Sequence, residues 1–75
     1  MMRATIYTLP NCPACTRTKQ FMAKRGFELE VIDLAENPDL LEQFRAEGLQ
    51  AAPVVETGGQ RWAGLRPDLI AQAAA

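Results

Sequence analysis

Two spacings of apolar residues alternate along this chain, and each change of spacing marks a new element. Arg3 to Thr8 predicts a strand: Ile6 and Tyr7 sit among the β-branched Thr5 and Thr8, and Pro10-Asn11 stops the run. Pro13 to Arg25 predicts a helix, with Ala14, Thr18, Phe21 and Met22 at i, i+4, i+7 and i+8 on one apolar face. Pro13 falls just after the expected cap, where its missing N–H costs nothing, and Lys24, Arg25 and Gly26 close the helix. Glu28 to Leu34 predicts a second strand, Leu29 and Val31 alternating with Glu28 and Glu30. Asn37-Pro38-Asp39 opens a helix through about Glu47, with Leu40, Leu41 and Phe44 as its apolar face and Gly48 as its stop. Val54 to Glu56 and Gln60 to Ala63 predict two short strands joined as a hairpin through Thr57-Gly58-Gly59. Pro67 to Ala74 predicts a last helix that turns Leu69 and Ile70 to the core.

The order βαβαββα implies a parallel, right-handed βαβ unit followed by an antiparallel pair in the same sheet. The expected fold is α/β: one mixed four-stranded sheet flanked by three helices. No repeat, linker or low-complexity stretch interrupts residues 1–75, which predicts a single domain.

With 75 residues the core is small, yet 48% apolar and 23% charged residues are the composition of a folded chain. Eight basic against nine acidic side chains give a net charge of −1, without the basic excess of a nucleic-acid binder. No apolar run approaches the ~18 residues of a membrane span. The opening Met1-Met2-Arg3-Ala4-Thr5-Ile6-Tyr7 shows no secretory h-region, so the expected compartment is the cytosol. Either Met1 or Met2 can serve as the start.

Two cysteines and no histidine narrow the chemistry. Two thiols cannot build a disulfide framework of the small secreted kind, and without His they complete neither a zinc site within one chain nor a Cys-His or Ser-His-Asp site. Dithiol redox is the prominent chemistry that remains. Cys12-Pro13-Ala14-Cys15 lies where the first strand meets the first helix. Cys12 is expected at or beside the helix N-cap, where unpaired backbone N–H groups and the positive end of the helix dipole favour thiolate. Cys15 is one turn further in, within disulfide reach and more buried. Cys12 is then the sulfur that attacks a substrate disulfide, and Cys15 the one that releases the product. Half of a metal site shared between two chains, or two inert core thiols, are the other readings of this motif.

Pro53 opens an apolar strand, where it forfeits a ladder bond. A cis Ala52-Pro53 bond would explain it and would leave the Ala52 backbone beside the cysteines, free to pair with an extended substrate. A proline at a strand start is also a common structural feature with no such role.

The residues Ile6-Tyr7-Thr8, Cys12-Pro13-Ala14-Cys15 and Pro53-Val54-Val55 resemble the glutaredoxin branch of the thioredoxin fold over essentially the whole chain. Gln50 to Glu56, and Trp62-Ala63-Gly64-Leu65-Arg66-Pro67-Asp68, resemble the corresponding segments of NrdH-redoxins. Those proteins usually carry Val-Gln between the cysteines, where this chain has Pro13-Ala14, and Ser and Phe where it has Ala63 and Leu65.

The resemblance implies a dithiol electron donor to the large subunit of class Ib ribonucleotide reductase. It also implies reduction by thioredoxin reductase, with NADPH used indirectly and no cofactor or metal bound. Cys12 and Cys15 would be catalytic, and Pro13, Ala14, Ala52, Pro53, Trp62, Gly64 and Leu65 would contact substrate. Trp62 is either core filler or a partly exposed contact ring; Gly64 and Arg66 beside it suggest exposure. Arg66 is expected to bond near the helix start. Leu65, Arg66 and Pro67 are bulkier than the glutaredoxin Gly-Gly turn, Pro67 removes one donor, and neither Leu9 nor Asn11 is basic, so glutathione binding is expected to be weak. The other functions considered are a glutathione-dependent glutaredoxin, a non-catalytic iron–sulfur cluster carrier bridging two chains, and a pure interaction module. A monomer is expected, with no nucleic-acid or membrane partner.

Overall fold

The first strand, β1 (Arg3–Thr8), leads through Leu9 and Pro10 to Asn11, the only non-glycine residue at positive φ (57°) among the described residues. Asn tolerates this left-handed conformation, which turns the chain sharply into helix α1 (Pro13–Lys24). Then come β2 (Glu28–Asp33), a 3-10 helix (Leu34–Glu36), α2 (Pro38–Ala46), β3 (Val54–Thr57), β4 (Gln60–Ala63) and α3 (Pro67–Ala74). The computed structural model describes residues 2–75; the choice of start raised at Met1 lies outside the described residues.

The strands form one mixed sheet in the order β2-β1-β3-β4. β1 runs parallel to β2, from Arg3 opposite Glu28 to Thr8 opposite Asp33. β3 pairs antiparallel with both β1 and β4, Val55 lying opposite Ile6 on one side and Trp62 on the other. Thr57 and Gln60 are paired, so Gly58-Gly59 alone makes the turn, at φ 55° and 79°. A two-residue turn with both centres at positive φ favours glycine at such positions. This is the expected architecture, with the thioredoxin-like topology.

The twofold alternation of β1 divides the core. Ala4 and Ile6 pack with Val55, Trp62, Met22, Phe27 and Ile70 on the face under α1 and α3. On the opposite face Val54, Leu34 and Phe44 pack with Tyr7, Leu40 and Leu41, under α2. Burying a side chain such as Ile6 or Met22, both fully inaccessible, stabilises by about 1.5–3 kcal/mol. A polar cluster fastens the α2 side. Tyr7 Oη donates to Glu56 Oε1 at 2.8 Å, and Arg61 Nε donates to Glu56 Oε2 at 2.6 Å. Arg61 also reaches Glu47, the C-cap of α2, at 2.8 Å, with its guanidinium 5.3 Å from the centre of the Phe44 ring. Tyr7 meets the same ring edge-on at 4.9 Å. Burial, then the hydrogen bond to Glu56, pushes the Tyr7 hydroxyl up to about 12.

Four expectations are corrected. α1 rests on the sheet through Cys15, Thr18 and Met22, so Phe21, about a quarter of a turn off that stripe, is 40% exposed rather than in the core. Val31 is 49% exposed because β2 is an outer strand with no neighbour beyond it. The second strand stops at Asp33, whose carboxylate accepts from the Ala35 N–H at 2.8 Å and starts the 3-10 turn, taking Leu34 out of the strand and into the core. Trp62, read as either core filler or a substrate contact, is core filler: it is 5% exposed because β4 points it inward opposite Val55, which takes it out of the substrate-contacting set.

Candidate redox site

Cys12 is the N-cap of α1. Its backbone is extended (φ −115°, ψ 100°), which aims the side chain back over the first turn. Its sulfur lies 3.1 Å from the Cys15 N–H, which donates to it, and its carbonyl accepts from the Thr16 N–H at 3.2 Å. Cys12 thus occupies the position that a Ser or Asp takes in an ordinary cap, so its sulfur faces the unpaired N–H end of the helix. Pro13 at the first helical position has no N–H to leave unpaired, and no acidic residue in the first turn opposes a negative sulfur.

The two cysteines are joined as a disulfide with Cα atoms 5.2 Å apart. Their environments differ. Cys12 is half-buried at the rim, whereas Cys15 is 3% exposed on the stripe that α1 presents to the sheet. A partner can therefore approach the first sulfur, while the second is reached through it.

The Ala52-Pro53 peptide bond is cis, and the Ala52 carbonyl oxygen lies 3.8 Å from the Cys12 sulfur. Pro53 is buried and its carbonyl accepts from the Gly64 N–H at 2.7 Å, tying the end of β4 to this turn. Gly64 has a φ of 86° that side-chain-bearing residues rarely adopt, and its missing Cβ would stand 3.9 Å from Ala51.

Cys12, Pro13, Cys15 and Ala52 are thus brought together, with Ala14 half-buried in the first turn. Gly64 supports the turn from behind, and Trp62 lies in the core. Leu65 instead borders a groove beside Phe21 and Pro67. Arg66 forms a two-pronged pair with Asp68, Nε to Oδ1 at 3.2 Å and an Nη to Oδ2 at 2.9 Å. That hydrogen bonding holds the Asp68 carboxyl below its ordinary range. Sequence reasoning missed Thr16 and Lys19, which with Thr8, Leu9 and Asn11 line an open cleft of about 550 Å³ beside the cysteines. Helical spacing carried that signal, since Lys19 is four residues beyond Cys15.

Two buried polar atoms on the α1 side have no hydrogen-bond partner: the Thr18 hydroxyl and the Trp62 indole N–H. No group of three or more His, Cys, Asp or Glu that could hold a metal ion occurs among the described residues, and no described helix is long and apolar enough to cross a membrane.

Comparison with known proteins places this geometry. The sequence profile of the glutaredoxin family matches residues 4–62. The glutaredoxin-like protein NrdH of Escherichia coli K12 is 45% identical over 69 residues, 92% of this chain and 85% of that protein. NrdH of Lactococcus lactis is 29% identical over 93% of this chain and 97% of its own. Among solved structures, NrdH-redoxin from E. coli, described as glutaredoxin-like with a thioredoxin-like activity profile, superposes with a TM-score of 0.87. The pair is 44% identical, over 95% of this chain and 93% of that one. A glutaredoxin from Archaeoglobus fulgidus superposes at 0.77 with 26% identity, over 97% and 86% of the two chains.

Proposed function

The chain belongs to the glutaredoxin family, as an NrdH-type redoxin with its cysteine pair at Cys12 and Cys15, and from that premise we propose that it is a dithiol electron donor for protein disulfides. The carrying observation is the asymmetry of the pair: a rim sulfur capping a helix, 3.1 Å from a backbone N–H, and a second sulfur 3% exposed behind it.

In the reduced protein, the helix end stabilises the Cys12 thiolate. The thiolate attacks one sulfur of the substrate disulfide. A Cys12–substrate disulfide forms, and the other substrate sulfur leaves as a thiolate that takes up a proton. Cys15 loses its proton and attacks the Cys12 sulfur. The mixed disulfide breaks, the second substrate thiolate departs, and Cys12–Cys15 holds the disulfide. Two electrons have passed to the substrate. The Ala52 backbone, beside the Cys12 sulfur, is placed to pair with an extended substrate strand as the disulfide approaches.

The electron source is thioredoxin reductase with NADPH, and the acceptor is the large subunit of class Ib ribonucleotide reductase. Likeness to NrdH proteins supports this assignment, as does the thioredoxin-like activity described for the E. coli relative. The tail supports independence from glutathione. Pro67 supplies no N–H at the start of α3, and the Arg66 cation is already occupied by Asp68. The chain binds no cofactor of its own in this scheme and works as a cytosolic monomer.

The test is NADPH consumption with thioredoxin reductase, this protein and a protein disulfide. Rapid turnover is expected, with little when glutathione and glutathione reductase replace the thioredoxin reductase. Efficient recycling by glutathione alone would reassign the chain to glutathione-dependent chemistry.

A further inference from the structure

The near-zero net charge conceals a strong segregation. Residues 1–27 carry Arg3, Arg17, Lys19, Lys24 and Arg25 and no acid; all nine acidic residues lie from Glu28 onward. Four of the chain's eight cations therefore belong to α1 and its C-cap, the helix that begins at the cysteines.

Lys19 lines the cysteine cleft. On another side of the helix, Arg17, Gln20, Phe21 and Lys24 form a groove of about 400 Å³ with Leu65 and Pro67 of the segment that enters α3. Phe21 is one of only two large apolar side chains exposed among the described residues, at 40%. It stands between Arg17 and Lys24 in sequence, no acid lines the groove, and Asp68, which follows Pro67, is paired with Arg66. The groove is thus an apolar floor with a positive rim and no free negative charge.

We propose that this groove is where a redox partner docks a short acidic segment bearing one large apolar residue. Such a segment would seat its apolar side chain on Phe21 and Leu65 and set its carboxylates against Arg17 and Lys24. The spacing defines it further. Phe21 lies nine residues beyond Cys12, about 13 Å along the helix and half a turn around it. A peptide that follows the helix surface from one to the other covers about 20 Å, about six extended residues. The partner's anchor therefore sits about six residues from the cysteine that Cys12 attacks. The inference rests on the redox reading above and adds which protein disulfides the site prefers. The acidic remainder of the molecule disfavours a nucleic-acid strand as the occupant.

The test uses three synthetic peptides, each holding the same disulfide. About six residues from it they carry Glu-Leu-Phe-Glu, Lys-Leu-Phe-Lys or Glu-Ser-Ser-Glu. Reduction rates by the dithiol protein are measured at low salt. The acidic apolar peptide is expected to react about tenfold faster than the basic one. It should also outrun the acidic serine peptide by about fivefold. In ~1 M salt the first ratio should shrink to within about twofold, with no variant needed. The double variant R17E/K24E should invert the charge preference, and F21S should remove the apolar one. Each is read as a ratio between peptides on one protein, which cancels any change in thiol reactivity. Equal rates for the three peptides, salt-independent ratios, or tighter binding of a single-stranded oligonucleotide than of the acidic peptide would overturn the proposal. Failure to reduce any peptide would instead overturn the redox reading beneath it.

Discussion

Raising the pH through the range where Tyr7 ionises should remove part of this protein's stability. In the folded chain the Tyr7 hydroxyl is pushed up to about 12, chiefly by burial and then by its 2.8 Å hydrogen bond to Glu56. In the unfolded chain it returns to about 10. The folded state then holds this proton more tightly. Its contribution is complete below pH ~10, declines as pH rises, and is gone above ~12. Two units would be at most about 2.7 kcal/mol, and solvent screening of this partly exposed hydroxyl brings the contribution down to about 1–2 kcal/mol. Other side chains also change charge at high pH, so the measurement is differential. Urea unfolding of the wild type and Tyr7→Phe is compared from pH 7 to 11.5. At pH 7 the variant should be less stable by about 1–2 kcal/mol, since Glu56 loses a donor. The gap should close as pH approaches ~12, where the wild type loses the same bond. The consequence reaches the site, because Tyr7 precedes the Asn11–Cys12 turn and lies opposite Val54, next to Pro53. A stability difference that stays constant from pH 7 to 11.5, or a Tyr7 absorbance titration centred near 10, would refute the reasoning.

Replacing Cys15 with Ser should leave Cys12 able to attack but unable to release, so a mixed disulfide with substrate accumulates; its absence by non-reducing mass spectrometry counts against Cys12 as nucleophile. Brief alkylation of the reduced protein should label Cys12 well ahead of Cys15, which is 3% exposed; equal labelling would contradict the asymmetry. Thr18→Val removes a buried hydroxyl that has no partner, so thermal unfolding should shift upward by about 1 kcal/mol of stability, and a clear loss would mean that the hydroxyl is satisfied. Trp62→Ala should cost about 3–5 kcal/mol in urea unfolding, as a core ring does, and an effect on substrate reduction without that loss would restore the contact reading.

The parts of this protein readable along the chain are those governed by near neighbours. Pro13 and Gly26 bracket α1, Gly58-Gly59 makes the hairpin, and Cys12 caps its helix because the strand stop and the helix start lie within a few residues of one another. The parallel βαβ unit and the antiparallel hairpin followed from the same local facts, whereas the strand order, with β3 beside β1 rather than β2, is a long-range pairing. Exposure did not, because it depends on what lies across the fold. Val31 alternates as an inward residue should, yet it sits on an outer strand; Phe21 fits the apolar period of α1 but lies off the stripe that meets the sheet; Trp62 reads as filler or contact alike, and only the packing makes it core. Total charge likewise gave no hint of the cations gathered along α1, since the acids that balance them come later in the chain. The pairing of Ala52 with Cys12 joins residues 40 apart, and the depth of Cys15 is set by how α1 lies on the sheet. The capacity for dithiol chemistry was therefore local, carried by the Cys12–Cys15 spacing at a helix tip. Which sulfur faces a partner, and what surface surrounds it, belonged to long-range packing, because burial is a property of pairs of elements that no single stretch of chain contains.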